Sequence, residues 1–169
     1  MKNIILVGMP ASGKTTIGHL LSEKLPDYTL IDTDSLIEKT QGKTISEIFK
    51  QYSEDYFRKL EYETIQMVCS GGTKKIISVG GGAFENPDNR AKLLSFGTVF
   101  YLKSDIDILY YRISKDTTRP LLQNQNPRQA LEKLLSKRES NYQKAHFTVN
   151  TNEMTEDEII RFIINETNA

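Results

Sequence analysis

The stretch with the most evident chemistry is Gly8-Met9-Pro10-Ala11-Ser12-Gly13-Lys14-Thr15. It fits G-x-x-x-x-G-K-[ST], the pattern of a phosphate-binding loop. Gly8 and Gly13 let the backbone turn and approach a ligand without a Cβ in the way. Successive N–H groups then face inward at a helix N-terminus and form an anion nest. In such a loop Lys14 reaches the β- and γ-phosphates, and the Thr15 hydroxyl ligates Mg²⁺. Ala11, Ser12 and Thr16 complete the nucleotide-contacting set.

Further along, Asp32 and Asp34 follow an apolar run. If the chain stays extended, they sit at i and i+2 and point to one side. Beside a magnesium nucleotide, one carboxylate can hold the metal's water shell while the other takes a proton from an acceptor hydroxyl. The plainer reading is that one of them caps the following helix. Phe57-Arg58-x-x-Glu61 lies on a helical stretch with an apolar stripe of Phe57, Leu60, Met67 and Val68. At i, i+3, Glu61 can hold the Arg58 guanidinium in one rotamer. A guanidinium so fixed is either a carboxylate or phosphate clamp, or one half of a surface ion pair.

Gly80-Gly81-Gly82 follows a third apolar run. It is either a flexible turn or a place where backbone N–H groups meet a ligand. Arg119-Pro120-Leu121-Leu122 sits in the aperiodic stretch 114–126, which reads as a lid or as a solvent loop. A lid would exclude water, a competing phosphoryl acceptor. Arg138 lies on the next helix, as a second clamp or as a solvated charge. His19 and His146 lack metal-ligand spacing and read as structural.

The elements that must position these residues alternate. Strands are expected at 3–7, 28–31, 76–79, 98–102 and 147–149. Helices are expected at 16–25, 35–39, 45–52, 55–70, 89–96, 106–113, 127–144 and 156–164. Repeated strand–helix units imply an α/β fold with a parallel sheet covered on both faces. Ligands of such sheets sit beyond the carboxyl ends of the strands, where the acidic pair and the glycine triplet fall.

With 169 residues, one domain is expected. Lys and Arg total 22 and Asp and Glu total 22, so there is no electrostatic case for nucleic acid or a membrane surface as the main partner. Cys69 is the single cysteine, which rules out an internal disulfide and reads as a buried hydrophobe. No apolar run approaches the roughly 18 residues of a membrane span. The chain enters a strand at once, so a cytoplasmic location is expected. The last helix reads as core packing and not as an interface, so a monomer is expected.

Taken together, the phosphate loop, Asp32-Thr33-Asp34, Phe57-Arg58-x-x-Glu61, Gly80-Gly81-Gly82, Arg119-Pro120-Leu121-Leu122 and Arg138 closely resemble the shikimate kinase family in order and interval. Gly42 to Phe49, Asn89-Arg90 and Tyr101-Leu102 agree, and the resemblance spans about residues 4 to 151. It implies a three-layer P-loop fold like that of nucleoside monophosphate kinases. The fold has a five-stranded parallel sheet, a lid near 114–126 and a helical substrate-binding region near 33–62. It also implies transfer of the γ-phosphoryl of ATP to the 3-hydroxyl of shikimate, with Mg²⁺ as cofactor, in the pathway to chorismate and the aromatic amino acids. By the family's motifs, Asp34 is the base, with Lys14 and Arg119 on the phosphates. Arg58 and Arg138 hold the substrate carboxylate, and Glu61 orients Arg58. Phe57 and Gly80 to Gly82 complete the acceptor site. Thr15 binds Mg²⁺, Asp32 acts on it through water, and Arg112 stacks on adenine.

Three positions depart from the family pattern. Ala11 stands where many members have Gly, at little cost unless the position needs φ > 0. Ser53 stands where a Gly often precedes the Phe-Arg motif, and it suits a helix cap. Glu139-Ser140-Asn141-Tyr142 replaces an expected Pro-Leu-Tyr ending, though Tyr142 keeps its place. The residues alone also admit a P-loop kinase for another small acid such as gluconate, or a nucleotide-binding module without catalysis. Arg58→Ala is expected to raise the KM for the acceptor by at least about ten-fold while the KM for ATP stays near normal. Equal losses in both would mark a folding defect instead.

Overall fold

The five residues of strand β1 (Asn3–Val7) are all buried, as a strand covered on both faces requires. The structure, a computed structural model, describes residues 2–72, 74–115 and 126–168. After β1 come α1 (Lys14–Lys24), β2 (Thr29–Asp32), α2 (Thr33–Gln41), α3 (Ile45–Gln51) and α4 (Glu54–Val68). There follow β3 (Lys75–Ser78), a single 3₁₀ turn (Ala83–Glu85), α5 (Pro87–Phe96), β4 (Gly97–Lys103) and α6 (Ile106–Ser114). The described chain ends with α7 (Pro127–Tyr142), β5 (Phe147–Asn150) and α8 (Glu156–Thr167). The strands form one parallel sheet in the order β2-β3-β1-β4-β5.

Successive strand residues point to opposite faces, so the sheet divides the core in two. Ile5, Val7, Ile77, Val99 and Tyr101 face α4 to α7 and meet Ile65, Leu93, Leu109, Leu131 and Tyr142. Ile4, Leu6, Ile76, Phe100 and Leu102 face α1 and α8 and meet Ile17, Leu21, Ile159, Ile160 and Ile163. A smaller cluster of Ile37, Ile48 and Phe57 lies under α2, α3 and α4. The three-layer α/β fold is as expected, and no strand bound moves by more than one residue. No described helix is long and apolar enough to cross a membrane.

Local chemistry explains the element ends. Ser53 caps α4 by accepting from Tyr56 N, as its residue type suggested. Asn126 caps α7, with Pro127 in its first turn. His146 is structural: its Nδ1 accepts from Val99 N at 3.0 Å. Cys69 is buried at the end of α4. One expectation fails on α4. Met67 is 53% exposed, and the buried stripe is Phe57, Glu61, Ile65 and Val68. Spacing of i, i+4, i+8 and i+11 puts a carboxylate on the inner face, which a reading confined to apolar residues passes over.

Between β1 and α1 the backbone takes φ of 148° at Gly8 and 96° at Gly13, and also 63° at Ala11. An L-residue in the left-handed region costs roughly 1–2 kcal/mol, so Ala11 occupies a position suited to glycine. Ala11→Gly is expected to stabilise the fold by roughly 0.5–1 kcal/mol, after the greater entropy of the unfolded glycine chain is subtracted. A denaturant titration reads this directly, and a lower midpoint would show that the turn holds Ala11 without strain.

Candidate active site

The carboxyl ends of β1, β2 and β3 open onto one cleft of about 480 Å³. Ala11, Ser12, Gly13, Lys14, Thr15 and Thr16 form one wall, with Arg112 beside them. Asp32, Asp34, Ser78, Gly80 and Gly81 form the other. At Gly8, where the loop begins, the Leu102 carbonyl and the Ser12 hydroxyl occupy the space a Cβ would need. Lys14 Nζ donates to the Gly8 and Met9 carbonyls at 3.0 and 2.8 Å. The ammonium thus bridges the carbonyl side of the loop. Arg112 Nη1 donates to the Ala11 carbonyl at 3.1 Å, which holds its guanidinium over the loop.

Asp32 and Asp34 do not share an extended strand. The helix begins at Thr33, because Asp32 caps it: its Oδ1 accepts from Asp34 N and Ser35 N at 3.1 Å. Its Oδ2 accepts from Thr15 Oγ1 at 3.3 Å. Asp32 is therefore the helix cap, the plainer of the two readings, and it also accepts from the loop hydroxyl. Asp34 rides in the first turn of α2, beside the phosphate loop and across from Gly80.

The glycine triplet is explained by close approach. A Cβ on Gly80 would strike the Asp34 carboxylate and come within 3.2 Å of Glu61 Oε1. One on Gly82 would strike the Arg58 guanidinium, and one on Gly81 would lie 3.4 Å from Arg138 Nη1 and 3.2 Å from Pro10 Cδ. The turn is thus the hub between the phosphate loop and four charged groups. The Gly80 N–H donates to the buried Thr33 Oγ1 at 2.9 Å, which ties the turn to the start of α2. Of the two readings of the triplet, flexible turn or ligand-binding backbone, this bond makes the turn a fixed one at Gly80.

Arg58 Nη1 donates to Glu61 Oε2 at 2.9 Å, and Nη2 donates to Glu54 Oε1 at 3.1 Å. This is no surface pair, since Glu61 is only 2% exposed. Burial costs the Glu61 carboxylate more than Arg58 returns, and Asp34 adds repulsion, so its pKa is pushed up to about 7. Phe57 is buried beneath, with Arg58 Cζ 5.4 Å from the centre of its ring. Arg138 is also buried, and the Tyr142 hydroxyl on the same helix donates to the Gly81 carbonyl. The atypical segment 139–142 therefore keeps its register on the site. Arg119, and with it most of the stretch 114–126, lies outside the described residues.

Two sets of residues were missed. Thr151, Met154 and Glu156 line the far end of the cleft, after β5. The rule about strand ends could have found them. Glu85, which holds Arg138, gave no signal, because 53 residues separate the pair.

A parallel sheet with this phosphate loop and an acidic residue facing it defines a P-loop kinase acting on a small molecule. A family model described as shikimate kinase matches residues 10–168. A shikimate kinase from Clostridium botulinum strain 657 is 46% identical over 90% of this chain and 89% of its own. One from Thermodesulfovibrio yellowstonii is 37% identical over 98% and 95%. The solved shikimate kinase from Acinetobacter baumannii superposes with a TM-score of 0.91 at 35% identity, over 98% of this chain and 92% of the other. The chain belongs to the shikimate kinase family, enzymes that use ATP to phosphorylate shikimate.

Glu61 carries a testable pH dependence. Folding raises its pKa from 4.5 to about 7, so between those values the folded chain holds a proton that the unfolded chain has released. Its contribution to stability therefore falls as the pH rises through that window. Relative to Glu61→Gln, the wild-type chain is expected to lose stability between pH 5 and pH 8 in chemical denaturation. A constant difference would mean that Arg58 compensates the ionised carboxylate in full.

Proposed function

We propose that this cleft carries the γ-phosphoryl of MgATP to the 3-hydroxyl of shikimate, giving shikimate 3-phosphate and ADP. The observation that carries the reading is the convergence of Asp34, the phosphate loop and two guanidiniums on one glycine turn. The similar Acinetobacter protein was solved in complex with shikimate, which supports the acceptor.

In this reading Asp34 accepts the proton of the attacking hydroxyl. Arg58 and Arg138 pair with the acceptor's carboxylate, where planar forks give bidentate contacts. Glu61 and Phe57 hold Arg58, and Gly80 to Gly82 let Asp34, Arg58 and Arg138 close in around the acceptor. Lys14 exchanges its two carbonyl partners for the β- and γ-phosphates. Ala11, Ser12, Gly13 and Thr16 line the phosphate path, and Arg112 stacks on the base. The Thr15 hydroxyl and the Asp32 carboxylate, 3.3 Å apart, are hard oxygen donors that suit Mg²⁺. Thr15 would ligate it directly and Asp32 through water, and the ion would neutralise phosphate charge.

The whole chain acts as one kinase domain, with an acceptor-binding region at about 33–62 and its lid assigned to about 114–126. It works as a monomer in the cytoplasm, without nucleic acid or membrane partners. The equal numbers of acidic and basic residues support the last point, since they give no electrostatic attraction to nucleic acid or a membrane surface.

A coupled ADP-release assay tests the reaction and the base together. With MgATP, shikimate-dependent release is expected at roughly 1–100 s⁻¹. Asp34→Asn is expected to keep ATP affinity and lose about 10²–10⁴ in turnover. Wild-type turnover in that variant would sink the role of Asp34, and ATP binding without shikimate-dependent release would sink the acceptor.

A further inference from the structure

Arg58 is held by carboxylates on its own helix, but Arg138 is not. The acidic residues of α7 are engaged elsewhere, Glu132 with Arg128 and Glu139 with Lys103. The carboxylate on Arg138 comes from the 3₁₀ turn that follows the glycine triplet. Glu85 Oε1 accepts from Arg138 Nε at 2.6 Å, with the two side chains 20% and 10% exposed. Its other oxygen faces Lys137 Nζ at 3.4 Å.

The turn that carries Glu85 is itself braced. Asn89 Nδ2 donates to the Ala83 carbonyl at 3.2 Å. Arg90 Nη1 donates to the carbonyls of Phe84 and Glu85 at 3.0 and 3.2 Å. Glu85 therefore projects from a fixed backbone. It grips the guanidinium at Nε, while Nη1 lies on the other side, against Gly81. A guanidinium held at Nε still presents its terminal nitrogens as a fork for a second carboxylate.

We propose that Glu85 is a positioning residue: it fixes Arg138 and thereby sets the affinity for the acceptor's carboxylate. This rests on Arg138 being a carboxylate clamp. Glu85 does for Arg138 what Glu61 does for Arg58, but from a different element. Without it, the arginine stem regains rotamers that binding must then freeze out.

Steady-state kinetics on the full chain separate the possibilities, using Glu85→Ala, Glu85→Gln, Arg138→Ala and the double variant Glu85→Ala/Arg138→Ala. Glu85→Ala is expected to raise the KM for shikimate about ten-fold, with kcat and the KM for ATP within about two-fold. Glu85→Gln keeps an acceptor for Nε and is expected to recover most of the affinity. The double variant is expected to match Arg138→Ala, because Glu85 acts only through that residue. A normal shikimate KM in Glu85→Ala, with a raised one in Arg138→Ala, overturns the proposal and leaves the clamp standing. Multiplying effects in the double variant, or equal losses for both substrates, would assign Glu85 to the fold alone and also overturn it. A normal shikimate KM in Arg138→Ala overturns the clamp and the proposal together. Where Glu85→Ala does not fold, Glu85→Met keeps the side chain's length, removes the acceptor and is read by the same outcomes.

Discussion

Glu61 is a carboxylate almost wholly withdrawn from water, in the inner stripe of a helix where an apolar residue would pack at no cost. Desolvating an ion there is expensive, and breaking its pair is more expensive still. The site depends on this tension. The Arg58–Glu61 pair holds the half-buried guanidinium against Gly82 of the glycine turn. The raised pKa of Glu61 shows that the pairing does not fully repay the burial. Such an arrangement is explained by positioning better than by stability.

The space around these charges is made by omission. Asp34, Arg58 and Arg138 crowd the three glycines from different sides, and a single methyl at Gly80 or Gly82 would displace a charged group. The chain must also enter this turn at a set height, because β3 pairs with both β1 and β2. That shared register brings the phosphate loop after β1, the Asp32 cap at the end of β2 and the glycines after β3 to one level. A parallel sheet does this as a consequence of geometry, since every strand ends on the same side.

The sequence by itself determined much of this. Alternating apolar runs specified the sheet and its covering helices, because buried strands and amphipathic helices have different periods. The phosphate loop was legible because every functional atom in it belongs to one contiguous stretch. Ser53 and Pro127 were legible as helix-start residues for the same reason. The residue types of Asp34, Arg58, Glu61 and Arg138 named the chemistry, and their intervals named the family.

What only the tertiary structure decided were relations between distant segments. Asp32 became both cap and loop partner, because the Thr15 hydroxyl approaches from the first turn of α1. Ala11 took a left-handed φ that its residue type disfavours. The Arg58 pair proved buried, because α4 turns the face bearing Glu61 inward. Glu85 reached Arg138 across 53 residues, with no periodicity to announce it. Local pattern reports what a residue can do within a turn or two of backbone. Which charges meet, and how much water is left around them, depends on packing that joins remote parts of the chain.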